Sequence, residues 1–169
     1  MFALGIDPGV SRCGFGAVRR TGSSYHPVTA GVLTTPPTDP LPERLAALAA
    51  DLDALIGEHR PDVVVVERVF FQTNARTAMS VGQASGLALA AAAAAGCEVV
   101  QYTANEVKLA VAGYGAATKE QVQRMVQSLL DLPALPRPPD AADALALALC
   151  HLAAAPRLER IRAAAGDDR

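Results

Sequence analysis

The sequence predicts an α/β fold: a mixed five-stranded sheet flanked by helices. Three observations carry this. Short apolar segments separated by turn residues open the chain. An unbroken block of four valines, Val63 to Val66, lies between charged residues, and the segments after it alternate between helical and extended spacing. Three meandering strands, then helix, strand, helix, strand and more helices, is the order of a mixed sheet covered by helices.

Taken in order, Phe2 to Asp7 reads as a strand ending in the turn Asp7-Pro8-Gly9. Cys13 to Arg20 and Tyr25 to Leu33 read as two more strands, joined through Gly22-Ser23-Ser24. The Pro-rich stretch Pro36-Pro37-Thr38-Asp39-Pro40 then separates the meander from a helix over Pro42 to His59. Its apolar residues Leu45, Leu48, Leu52, Leu55 and Ile56 recur at helical spacing, and Pro61 ends it. The valine block reads as a strand buried on both faces, hence central and parallel. A helix follows over Asn74 to Ala95, a fifth strand over Glu98 to Tyr102, and helices over Asn105–Ala112 and Lys119–Leu130. Pro133, Pro136, Pro138 and Pro139 make a stiff loop. A last helix is expected from Asp140 to about Ala155. Residues 1–156 therefore form one domain, and 157–169 a charged, flexible tail.

The 169 residues suffice for one compact domain, and an apolar fraction of 51% argues against disorder. Cys13, Cys97 and Cys150 show no Cys-x-x-Cys pairing, so they read as small buried hydrophobes in a reducing cytosol. No export signal is visible at Met1–Leu4, which makes the expected location cytoplasmic. Met79 to Gly96 is uncharged and long enough for a membrane span, but it is mostly Ala with Ser80, Gln83 and Ser85; a buried helix is the better reading. A net charge of −2 at first argues against a nucleic-acid partner. Two divalent ions at an acidic cluster would bring that total to about +2.

Such a cluster is foreshadowed. Asp7 and Glu67 end two strands, where ligands gather in open α/β sheets. Asp140 and Asp143 open the last helix three residues apart, with Cβ atoms roughly 5–6 Å apart on one face. Two like charges about 4 Å apart repel by roughly 4 kcal/mol at an effective dielectric of 20, so convergence demands cations. Hard divalent ions suit an all-oxygen donor set. Each acid also has a structural reading: Asp7 as turn former, Glu67 as solvated strand end, Asp140 as N-cap, Asp143 as dipole partner. Spacing alone leaves both readings open.

The element order suits ribonuclease-H-like proteins and equally actin-like ATPases, though the latter need two duplicated domains. The motifs separate the two. Gly5-Ile6-Asp7-Pro8-Gly9, Gly14-Phe15-Gly16, Val66-Glu67-Arg68-Val69-Phe70, Asn74-Ala75, Gly82-Gln83-Ala84-Ser85-Gly86, Glu106-Val107-Lys108, Lys119-Glu120-Gln121-Val122 and Asp140-Ala141-Ala142-Asp143-Ala144-Leu145-Ala146 occur in that order. Together they resemble the RuvC family of Holliday junction resolvases over almost the whole chain. The resemblance implies a ribonuclease-H-like nuclease domain that resolves four-way DNA junctions by paired symmetric hydrolysis, leaving 5′-phosphate and 3′-hydroxyl ends. It implies two Mg2+ per subunit (Mn2+ substituting) held by Asp7, Glu67, Asp140 and Asp143, a homodimer, and a junction-migrating helicase as partner.

Phe70 resembles the family aromatic that stacks on an unpaired base, an interaction of about 1–3 kcal/mol; Phe71 reads as core. Lys108 and Lys119 match family lysines, and Arg76 joins them as a phosphate contact; Arg68 and Arg124 are weaker candidates. The small residues Ser80, Gly82, Ala84, Ser85 and Gly86 permit close helix approach, inside the domain or across a dimer axis. His151 reads as a surface residue near a helix end, with a supporting role at the site as the alternative.

Overall fold

The structure, a computed structural model, describes residues 1–68 and 75–166. Five strands and five helices follow in chain order: β1 (Phe2–Asp7), β2 (Arg12–Thr21), β3 (Ser24–Thr34), α1 (Leu41–His59), β4 (Val63–Glu67), α2 (Ala75–Ala94), β5 (Glu98–Tyr102), α3 (Ala104–Ala112), α4 (Lys119–Leu129) and α5 (Pro139–Gly166). The sheet order is β3-β2-β1-β4-β5. β1 runs antiparallel to β2 and parallel to β4, which is in turn parallel to β5. This is the mixed sheet the sequence predicts, with the valine strand second from its edge.

Alternation along β4 divides the core. Val64 and Val66 pack with Phe2, Leu4, Ile6, Leu48, Leu52, Ile56, Ala84 and Ala88 beneath α1 and α2. Val63 and Val65 pack on the opposite face with Ala3, Val107, Val122, Leu145, Leu149 and Leu152, beneath α3, α4 and α5. All four valines are at most 1% exposed, which is why the block carries no polar residue.

α5 crosses β1 and β2 at unusually close range. A Cβ on Gly5 would collide with the Ala144 carbonyl, and one on Gly14 with the Asp140 carbonyl. Glycine at these positions lets helix backbone lie directly on strand backbone. The helix start is thereby brought to the carboxyl end of β1, where Asp7 pairs with Gly14.

Three expectations are corrected. α5 does not end near Ala155 but continues to Gly166, through Pro156. Proline removes the N–H that would bond the Leu152 carbonyl; Arg20 Nη1 donates to that oxygen instead, at 3.3 Å. His151 is consequently interior to the helix and only 2% exposed. Among the cysteines, Cys13 and Cys150 are buried, whereas Cys97 is half-buried. The uncharged stretch after Met79 is a helix that buries one face, through Ala84, Ser85, Ala88 and Ala92, and leaves Met79 exposed. Pro139–Leu158 is long and apolar enough to cross a membrane, but 67% of its apolar window is buried in the domain, as expected of a core helix.

Candidate nuclease centre

Parallel pairing of β1 and β4 sets Asp7 and Glu67 side by side at the same sheet edge. α5 adds Asp140 in its first turn, behind Pro139 at a position where proline's missing N–H costs nothing, and Asp143 three residues on. The helix dipole favours the negative charge of Asp140 there, which partly offsets the crowding. Asp7, Glu67, Asp143, Lys108 and Lys119 line one cleft of about 260 Å³, floored by Val107, Val122 and Leu147.

The electrostatics record how close the acids are. Burial, then the charges of Glu67, Asp143 and Asp140, push the Asp7 carboxyl up to about 7 against a pull from Lys119. Glu67 is also raised, by burial and by Asp143; a side-chain hydrogen bond with Asp7 and the Lys119 charge oppose the rise. Both carboxyls are thus held above the usual carboxylate range, and the pair resists carrying two full negative charges.

The two helix acids are met by cations. Lys119 Nζ lies 2.5 Å from Asp143 Oδ2. Burial lowers the Lys119 ammonium, but its hydrogen bond and charge interaction with Asp143, together with Asp7 and Asp140, hold it above its ordinary value. Lys119 is the first residue of α4, a site the helix dipole disfavours for a cation. A capping box fixes the helix start there: Thr118 accepts from the Gln121 N–H and Gln121 accepts from the Thr118 N–H. The same device, Thr103 with Glu106, starts α3 and places Lys108 one turn on. Arg12, absent from the sequence-level candidates, donates from Nε and Nη2 to Asp140 Oδ2 at 3.0 and 2.8 Å. Its partner is 128 residues away, and no motif links the two.

Among the described residues, no three of His, Cys, Asp and Glu are disposed to grip one ion. Asp140 is turned to Arg12 and Asp143 to Lys119. Of the other candidates, Phe70 and Phe71 lie outside the described residues, and Arg76 falls in the first turn of α2 with its side chain outside them. Arg124 pairs with Glu120 at 2.7 Å on the surface of α4. Arg68 is exposed; its backbone N–H donates to the Tyr102 carbonyl at 2.7 Å. His151 is not at the surface: its Nδ1 lies 3.1 Å from the Tyr102 hydroxyl, tying α5 to the end of β5.

Comparison with known proteins decides the family. The profile described as crossover junction endodeoxyribonuclease RuvC matches residues 3–151. The chain belongs to the RuvC family. A crossover junction endodeoxyribonuclease RuvC of Chloroflexus aggregans is 52% identical over 160 residues, covering 95% of this chain and 98% of the relative. One from a Parafrankia strain is 51% identical over 165 residues, covering 97% and 93%. Among solved structures, Thermus thermophilus RuvC in complex with a Holliday junction substrate superposes with a TM-score of 0.87 at 40% identity, covering 92% of this chain and 94% of that one. The yeast mitochondrial Holliday junction resolvase Ydc2, at 14% identity, covers 95% and 82% with a TM-score of 0.67 and shares the fold. Membership in the RuvC family replaces the actin-like alternative.

Proposed function

We propose that this chain is a magnesium-dependent endonuclease that resolves four-way DNA junctions, and that Asp7, Glu67, Asp140 and Asp143 hold its two metal ions. The observation that carries the reading is geometric: Asp7 and Glu67, at the ends of neighbouring parallel strands, meet Asp143 of α5 in one cleft. Carboxylates crowded to that degree favour a bound divalent cation, and their all-oxygen donors suit magnesium. The acids therefore fit the ions, provided Asp140 and Asp143 turn from their present partners.

Held by these acids, two divalent ions would offset their charge and would supply electrostatic stabilisation to a displacement at phosphorus. Water adds to phosphorus, the P–O3′ bond breaks, and the 3′ oxygen takes a proton, leaving 5′-phosphate and 3′-hydroxyl ends. Asp7 and Glu67, on neighbouring parallel strands, supply a rigid half of the site. Lys108 and Lys119 on the cleft wall offer positive charge to the scissile phosphate or its neighbours. Arg76 and Phe70 complete the DNA contacts, Phe70 by stacking on a base at the open crossover.

Paired cuts on opposite strands call for two copies of the chain, so the working unit in this reading is a homodimer in the cytoplasm. A junction-migrating helicase is the expected companion from family resemblance, and Mn2+ the expected substitute ion. The test is incision of a synthetic mobile junction with Mg2+ and with EDTA, by wild type and by Asp7→Asn. Symmetric nicks only with wild type and metal are expected. Incision by Asp7→Asn at the wild-type rate would remove the assignment.

A further inference from the structure

Arg12 opens β2 beside Asp140 at the start of α5, anchored by the buried Cys13 that follows it. Its guanidinium gives two donors to a single oxygen of Asp140. A fork that engaged both carboxylate oxygens would be the stronger pairing. The Arg12 side chain is 51% exposed and that of Asp140 29%, so the contact can open toward solvent without disturbing the core. The Asp140 main chain is held in place, its carbonyl packed over Gly14, so only its side chain is free to turn.

We infer that Arg12 is a stand-in cation: it occupies Asp140 in the metal-free protein and must release that carboxylate when a divalent ion loads. The inference rests on the proposed role of Asp140 as a metal ligand. The guanidinium and an entering ion are like charges competing for one oxygen, so each raises the dissociation constant of the other. Once displaced, Arg12 stays tethered beside the start of α5, where the anion brought by the substrate is a backbone phosphate. Arg12 thus weakens ion binding by the acids in the absence of DNA and returns its charge to the substrate when they do load. In this scheme Arg12 is a positioning residue that acts through Asp140.

The test uses Mn2+ alone, titrated into the full chain without DNA and followed by the electron paramagnetic resonance signal of the free ion. Arg12→Gln should bind Mn2+ about three- to tenfold more tightly than wild type, the range set by losing a half-exposed ion pair and a like charge beside the ion. Arg12→Lys, which keeps the charge on fewer donors, should fall between, and melting curves in EDTA report whether each variant is folded. Unchanged or weaker binding by folded Arg12→Gln would overturn the inference, since Arg12 would then orient Asp140 for the ion. No uptake by wild type at millimolar Mn2+ is a different failure: it would remove the metal-site reading itself.

Discussion

Replacing Asp7 with Asn should stabilise the metal-free protein while abolishing its cleavage. The Asp7 carboxyl has an ordinary value of 3.8 and is pushed up to about 7 in the fold. Below pH 3.8 both folded and unfolded chains carry its proton, and the residue has no pH-dependent effect. Between 3.8 and about 7 the folded state retains a proton that the unfolded state has lost, so stability falls as pH rises. Above 7 the full penalty is in place. At 1.36 kcal/mol per pH unit, this amounts to about 4 kcal/mol as an upper bound. Repulsion is shared with Glu67 and the helix acids, so about 2 kcal/mol is the working expectation. For a chain of this size that corresponds to a rise of about 4–8 °C in melting temperature at pH 8.5. The assay is thermal melting of wild type and Asp7→Asn in EDTA from pH 4 to 8.5, with the gap closing toward pH 4. Added Mg2+ should raise the wild-type melting temperature at pH 8.5 and do less for the variant. A variant no more stable than wild type at pH 8.5 in EDTA would show that the acids are not crowded, and the electrostatic case for metal would fail.

Gly14→Ala inserts a methyl group against the Asp140 carbonyl; we expect a loss of about 1–3 kcal/mol from overpacking and a drop in cleavage larger than the drop in junction affinity. Wild-type turnover in that variant would show that α5 adjusts freely. Lys119→Ala should reduce the slope of log affinity against log salt for junction binding by about 0.9, as one phosphate contact is lost; an unaltered slope would confine Lys119 to its pairing with Asp143. Tyr102→Phe removes the hydroxyl facing His151 and should cost about 1 kcal/mol in urea unfolding, whereas a neutral result would mean that the tie between β5 and α5 carries no stability.

Most of the architecture was legible because it rests on local pattern. The valine block announced a strand covered on both faces, and the spacing of Leu48, Leu52, Leu55 and Ile56 announced α1. The acids were legible as strand-end and helix-start residues, and the structure brings them to one sheet edge. What stayed hidden depends on distant partners. Pro156 looks like a helix stop, yet α5 runs through it, with the Arg20 side chain from β2 donating to the carbonyl that proline leaves free; reading a stop there also put His151 at the surface. Arg12 could not be found for the same reason, since its meaning lies in Asp140 at the other end of the chain. The capping boxes at Thr103 and Thr118, by contrast, had a readable signal, a threonine followed three residues later by Glu or Gln.

The contact of α5 with Gly5 and Gly14 has a bearing on how the cleft tolerates change. Its width is gauged by main-chain atoms, which no rotamer can lengthen or shorten. Substitutions elsewhere in the core can be absorbed by neighbouring side chains before the distance between Asp7 and the helix acids alters. An added methyl at either glycine reaches that distance directly, so a redesign of ion preference would do better to vary the acids than the floor on which they stand.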